Sequence, residues 1–160
     1  MVKIGVISDT HDNLLPALLE QLNGVDLIIH AGDIGKDHLL TRLGEIAPVM
    51  AVRGNMDGHP SFQSLPAYRV VDAEERKILV THRVGRPEQP HPEIRERLFQ
   101  VRPDVVVFGH THHPFNQRVN GILFFNPGTA GKRQFGASLT FGFLEINGNQ
   151  IVGNIVDLGF

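Results

Sequence analysis

The sequence predicts an α/β fold, one domain of mixed sheets with outer helices, and three observations predict it. Apolar β-branched runs alternate with amphipathic segments through the first 52 residues, the pattern of parallel strands joined by right-handed crossovers. Later, Asn120-Gly121 and Asn147-Gly148 are each flanked by apolar runs, a strong hairpin signal. The chain has 160 residues, 41% hydrophobic and 20% charged, an ordinary globular balance. A chain of that length buries roughly two thirds of its unfolded surface. No repeat, low-complexity tract or linker divides it, so residues 1–160 are expected to form a single domain.

Val2 to Ser8 is apolar and β-branched and reads as a buried strand. Asn13 is placed to cap a helix whose stripe is Leu14, Leu15, Leu18, Leu19 and Leu22, with Pro16 in the first turn. Asp26 to His30 is a second strand, Lys36 to Ile46 a second helix carrying Leu39, Leu40 and Leu43, and Val49 to Val52 a third strand. Tyr68 to Val71 and Ile78 to Thr81 read as strands joined around Glu74-Glu75. Arg83 to His91, with Pro87 and Pro90, reads as an exposed loop. Pro92 to Val101 is a helix with proline in its first turn. Val105 to Phe108 is a continuous apolar strand, and the hairpins after it make the C-terminal part mostly antiparallel.

Composition excludes several classes. The net charge of −2 lacks the basic excess of a duplex-binding module, so no nucleic-acid partner is expected. With no cysteine there is no disulfide, thiolate zinc site or cysteine nucleophile. No apolar run approaches bilayer length, and Met1 to Asp9 turns polar too soon for a signal peptide, so a cytoplasmic protein without membrane contact is expected.

Five predicted strands end in metal-ligand chemistry: Ser8-Asp9-Thr10-His11, His30-Ala31-Gly32-Asp33, Arg53-Gly54-Asn55, Thr81-His82 and Gly109-His110-Thr111-His112. Taken alone, each has an ordinary explanation as a turn, a cap or a satisfied polar residue. Together they ask five strand tips to end independently in ligand types. If the strands share a sheet, their carboxyl ends open into one crevice. In extended backbone, Asp9 and His11, or His110 and His112, would point to one side and chelate from one segment. Gly32, Gly54 and Gly109 permit close approach just before a ligand. Carboxylate, amide and imidazole donors without sulfur suit Mn, Fe, Co, Ni or Zn better than Ca or Mg. Seven side chains exceed one catalytic zinc and match two metals if an aspartate is shared. His30 reads as a buried strand histidine or as a group orienting Asp33. His113 is expected to point away.

These segments, with Gly54-Asn55-Met56-Asp57 and Asn126-Pro127-Gly128-Thr129, resemble the calcineurin-like metallophosphoesterases, and the short Gly-Asn-x-Asp form resembles the small YfcE-type phosphodiesterase branch. The resemblance implies a four-layer α/β/β/α sandwich of two mixed sheets flanked by helices. It implies that Asp9, His11 and His112 hold one metal and Asn55, His82 and His110 the other, with Asp33 bridging. Manganese is the expected ion, with Fe, Ni, Co and Zn as alternatives. The implied activity is hydrolysis of a small phosphate ester, foremost a diester, by hydroxide formed at the metals, with Asn55 stabilising the phosphoryl oxygens. A homodimer is a further implication.

The sequence also departs from the family. Met56 stands where larger members carry a proton-donating histidine, which leaves Asp57 and His59 as candidate donors. Arg83-Val84 stands where relatives read Gly-His, so a substrate-side histidine is missing. Arg83 or Arg86 is a candidate replacement, against the alternative that both are exposed loop charges. The competing readings are a phosphomonoesterase or nucleotide hydrolase on the same metals, and a protein-binding scaffold similar to the retromer small subunit.

Overall fold

The computed structural model describes residues 1–133 and 136–159. Strand β1 (Val2–Ile7) leads to helix α1 (Pro16–Gln21), β2 (Leu27–His30), α2 (His38–Gly44) and β3 (Val49–Ala51). A 3₁₀ turn, Pro60–Phe62, precedes β4 (Tyr68–Ala73) and β5 (Arg76–Thr81). The short β6 (Gly85–Arg86) and β7 (Gln89–Pro90) follow, then α3 (Pro92–Val101), β8 (Val105–Val107), β9 (Phe115–Val119), β10 (Ile122–Asn126), β11 (Thr140–Asn147) and β12 (Gln150–Asp157). No helix among the described residues is long and apolar enough to cross a membrane.

Two five-stranded sheets result, ordered β12-β11-β1-β2-β3 and β4-β5-β8-β10-β9. In the first, β1, β2 and β3 are parallel and β11 joins β1 antiparallel. In the second, β5, β8 and β10 are parallel, with β4 and β9 antiparallel at the edges. The continuous apolar runs of β1, β2 and β8 follow from burial on both faces. Ile4, Val6 and Ile29 face Val80, Val105, Val107 and Phe125 between the sheets. Ile7 and Ile28 pack outward with Leu18, Leu22, Leu39 and Leu43 of the first two helices. Leu79, Val106 and Phe124 pack outward with Ile94 of α3. Three apolar clusters therefore separate four layers, α/β/β/α, as expected.

Some local expectations are corrected. Asn13 does not cap α1; Leu15 occupies that position, and the Asn13 amide donates to the Gly131 carbonyl at 3.0 Å. Pro16 starts the helix by itself because its fixed φ suits the first turn. Arg83 to His91 is not a plain loop: β6 and β7 pair across it, and Val84 and Pro90 are buried. The five ligand-bearing strands do not share one sheet. The tips of β1, β2 and β3 come from the first sheet and those of β5 and β8 from the second.

Candidate metal centre

The site forms where the carboxyl ends of the two parallel strand sets face each other, the crevice in which α/β folds bind ligands. Beyond the strands, backbone bonds continue the pairing. Asp9 N–H donates to Gly32 O, His11 N–H to Asp33 O and Asp12 N–H to Ile34 O, at 3.0, 3.1 and 2.9 Å. Gly109 N–H donates to His82 O in the same way within the second sheet, at 3.1 Å. The ligand segments are thus zipped to one another before any metal is considered.

Their backbone is not extended. Asp9, His11, Asp33, His110 and His112 all have positive φ, between 43° and 71°. The extended geometry expected here is therefore corrected, although Asp9 and His11 still reach one donor set. Left-handed kinks turn each side chain inward, a conformation Asp and His tolerate better than most residues. They also split the His110–His112 pair. The His112 ring meets His11, centroids 5.6 Å apart, and the His110 ring meets His82 at 5.3 Å.

The carboxylates hold the middle. Asp9 Oδ2 accepts from Ser8 Oγ at 2.7 Å and from the His110 N–H at 3.2 Å. That leaves Asp9 Oδ1 facing His112 Nε2 at 3.3 Å, His11 Nε2 at 3.9 Å and His82 Nε2 at 4.0 Å. Asp33 Oδ1 accepts from the Met56 N–H at 2.8 Å, while Oδ2 lies 3.3 Å from His82 Nε2 and 3.8 Å from His11 Nε2. His82 Nδ1 donates to the Ala31 carbonyl at 2.7 Å, a bond from one sheet to the other. A carbonyl only accepts, so Nε2 is left to face the carboxylates. At the mouth, Asn55 Oδ1 accepts from His110 Nδ1 at 3.2 Å.

Two sets of donor atoms each lie within 4.8 Å of one another: Asp9, His11 and His112, and Asp9, Asp33 and His82. Asp9 is common to both, and Asp33 also reaches toward His11. Asp9 Oδ1, His11 Nε2, His82 Nε2 and His112 Nδ1 are buried without a hydrogen-bond partner among the described residues. Unsatisfied buried polar atoms are costly. Here Asp9 Oδ1 faces His11 Nε2 and His82 Nε2, and divalent cations would satisfy all three, so the donor set fits metal ions.

The electrostatics agree. Burial pushes the Asp9 carboxyl up to about 6, against the hydrogen bond from Ser8 and the neighbouring His82. Burial also acts to raise Asp33, but His82, the Met56 N–H and His11 outweigh it and hold that carboxyl below its usual range. Burial lowers His11, His110 and His112, keeping these imidazoles neutral as metal ligands must be. Burial acts to lower His82, but the Asp33 carboxylate 3.3 Å from Nε2 outweighs it and raises that imidazole.

The other expected residues fall elsewhere. The Asp57 carboxylate is buried and accepts three backbone N–H groups, from Asp33 and Ile34 at 2.9 Å and from Gly54 at 2.8 Å. Both its oxygens are committed, which suits holding the Asp33 and Gly54-Asn55 segments together and not the proton donation expected of it. His59 is exposed, caps the 3₁₀ turn through the Ser61 N–H at 3.1 Å, and does not line the cleft over the ligands. His30 is fully buried; Nδ1 accepts from the Gly32 N–H and Nε2 bonds Thr10 Oγ1 at 2.9 Å. Burial drives its pKa down to about 3.

The cleft above the ligands has a volume of about 400 Å³, and its walls include Met56, Thr111, His113 and Lys132 as well as ligand residues. His113 was expected to point away, yet it joins the wall, because the chain around it is kinked. Lys132 was missed altogether. Its only sequence signal is proximity to Asn126-Pro127-Gly128-Thr129. Arg83 lines a neighbouring depression with His91, Pro92 and Glu93. Arg86 lies on the exposed β6.

Comparison with known proteins gives a consistent relationship. A family model for the calcineurin-like phosphoesterase superfamily domain matches residues 2–149. A probable metallophosphoesterase of Methanocaldococcus jannaschii is 38% identical over 132 residues, covering 79% of this chain and 67% of that protein. The phosphodiesterase YfcE of Escherichia coli K12 is 28% identical over an alignment of 169 residues, covering 91% of this chain and 88% of its own. Among solved structures, vacuolar protein sorting 29 from Cryptosporidium parvum superposes with a TM-score of 0.81 at 25% identity, over 98% of this chain and 91% of that one.

Proposed function

The chain belongs to the calcineurin-like phosphoesterase superfamily, and we propose from that premise that it is a phosphodiesterase holding two divalent ions, with manganese first among the candidates. The observation that carries the reading is the convergence of two sets of donor atoms, each within 4.8 Å, with Asp9 Oδ1, His11 Nε2 and His82 Nε2 buried and unpartnered among them. Asp9, His11 and His112 would hold one ion, and Asn55, His82 and His110 the other. Asp33 would be shared, since Oδ2 faces one imidazole of each set. When bound, the ions supply Lewis-acid charge and activate water for attack on phosphorus.

The chain's own residues do the rest. Asn55 Oδ1, which meets His110 Nδ1 at 3.2 Å, is the atom that would reach the ion, and Nδ2 would donate to a non-bridging phosphoryl oxygen as charge develops there. Asp57 holds the Gly54-Asn55 turn against the Asp33 segment and so orients both ligands. His113, an imidazole outside the ligand set that lines the cleft wall, would be the group to give a proton to the leaving oxygen. A diester with an acidic leaving group needs that proton least, which favours such substrates. The cleft volume suits a small phosphate ester.

The test is hydrolysis of bis(p-nitrophenyl) phosphate, p-nitrophenyl phosphate and nucleotides, after chelation and after adding back manganese. The diester rate should fall by roughly a hundredfold or more on chelation and recover with the metal. A diester rate indifferent to chelation would remove the metal mechanism. A faster monoester or nucleotide rate would move the assignment to those classes on the same site. One observation favours a second reading, a protein-binding scaffold: a vacuolar protein sorting protein shares the fold over nearly the whole chain. Full metal occupancy without turnover of any ester would support it.

A further inference from the structure

The wall of the cleft carries a cation that the metal centre does not use. Lys132 lines it together with His11, His112 and His113. Its backbone is fixed from both sides. The Thr129 hydroxyl accepts from the Lys132 N–H at 3.1 Å and lies 2.7 Å from the Lys132 carbonyl, toward which it can donate. The same hydroxyl lies 3.2 Å from the Asp9 carbonyl, and Ala130 N–H donates to Ser8 O at 3.0 Å. The adjoining Gly131 carbonyl accepts from Asn13 Nδ2 at 3.0 Å. A methyl on Gly131 would run into the Thr10 carbonyl, so that backbone lies flat against the first ligand segment. Lys132 is thus stationed by residues 8–13, the segment that supplies Asp9 and His11.

No ion pair of Lys132 occurs among the described residues, whereas the nearby Lys36 is paired with Asp12 at 3.2 Å. Arg83 and Arg53 line separate depressions, the first with Glu93 and the second with Asn55 and Asp57. Lys132 therefore presents an uncompensated charge to the cleft. Two divalent ions, the carboxylates of Asp9 and Asp33 and one attacking hydroxide leave a single positive charge. An ester phosphate with one negative charge balances that and leaves Lys132 unanswered.

We propose that Lys132 is a specificity-determining residue that contacts the substrate's anionic oxygens and selects phosphate esters carrying more than one negative charge over those carrying one. This rests on the phosphoesterase reading above. The extra charge has two chemical sources: the dianion of a monoester, or a further phosphate on one arm of a diester.

The experiment compares the wild type with Lys132→Gln and Lys132→Arg, all loaded with manganese and checked for equal metal content. Four substrates form two pairs: p-nitrophenyl phosphate against bis(p-nitrophenyl) phosphate, and a thymidine dinucleotide with and without a 5′-phosphate. In Lys132→Gln the ratio of kcat/KM, multiply over singly charged, should fall about tenfold in one pair, the order of one charge-assisted hydrogen bond facing water. Lys132→Arg should restore most of it. The pair that responds identifies the source of the charge. Inorganic phosphate, titrated calorimetrically into the metal-loaded proteins, should bind about tenfold more weakly to Lys132→Gln, a readout that needs no turnover. Equal losses within both pairs, or unchanged phosphate affinity, overturn the role of Lys132. If the wild type turns over none of the four while Lys132→Gln still loses phosphate affinity, the anion contact stands and the hydrolase reading fails.

Discussion

Asp33 reaches one imidazole from each half of the centre, His82 at 3.3 Å and His11 at 3.8 Å. Asp33→Ala should therefore release at least one of the two metals and lower the phosphodiesterase rate by roughly a hundredfold or more. Metal analysis and the ester assay check this, and unchanged values for both would take Asp33 out of the site. Asp57 works one step further back. Asp57→Asn removes the charge from three N–H···O contacts and turns one carboxylate oxygen into a donor facing donors. The expected loss is about 1.5–3 kcal/mol in unfolding free energy, with metal affinity weakened roughly ten- to a hundredfold. Saturating manganese should restore the rate with an unaltered pH profile, an outcome a true proton donor would not give. Two buried groups set the pH response. The unfolded chain releases the Asp9 proton near 3.8, but the folded metal-free protein keeps it to about 6, so stability falls as pH rises through that window. His30 acts oppositely: the unfolded chain takes a proton near 6.5 that the folded one refuses until about 3, so stability is lost as pH falls through that range. In the metal-free protein Asp9 opposes His30 between 4 and 6, while the lowered His11, His110 and His112 act in the same sense as His30. Metal keeps Asp9 ionised and leaves the His30 dependence exposed. Denaturant midpoints against pH should thus slope more steeply with manganese than without, and parallel slopes would refute this account.

At the scale of elements, the site depends on how closely strands and their tips approach. A methyl on Gly109 would strike the Ser8 hydroxyl and come within 2.9 Å of Asp9 Oδ2. A methyl on Gly54 would strike the Asp33 backbone and carboxylate. Gly142 and Gly153, on β11 and β12, make room for the Phe125 ring of the facing sheet, and a methyl on either would meet it. These positions make a contrasting pair. Gly142→Ala should cost about 1–3 kcal/mol by overpacking while metal content stays full. Gly109→Ala should displace Asp9 and empty the centre. Thermal melts with metal analysis separate the two, and retained metal in Gly109→Ala would show that the tip can give way. Much of this level was readable in advance. Hairpins at Asn120-Gly121 and Asn147-Gly148, the α3 boundaries and the ligand-bearing tips all follow from local residue chemistry. What failed was what local chemistry underdetermines. Asn13 has the side chain of a cap, but a partner at Gly131, far along the chain, claims it. His113 was assigned a direction from extended geometry that the kinked tip does not have.

For the whole molecule, two sheets packed face to face bring their carboxyl strand ends to one rim, and the buried unsatisfied atoms there mean that folding and metal loading are coupled. Ions that bind only the folded state should add about 4 kcal/mol at a thousandfold excess over Kd. Chelation should lower the melting temperature by several degrees, and manganese should restore it. A melting temperature insensitive to both would contradict a preformed centre. The sequence by itself determined the donor types, the strand tips that carry them and the α/β alternation, because these rest on side-chain chemistry and short-range periodicity. Only the tertiary structure decided that three tips come from one sheet and two from the other, that His110 and His112 part company, that Asp57 braces the ligand segments, and that Lys132 stands over the cleft. Each of those depends on contacts between residues scores of positions apart. Local pattern carries no information about such contacts until the inter-sheet core has fixed which segments face one another.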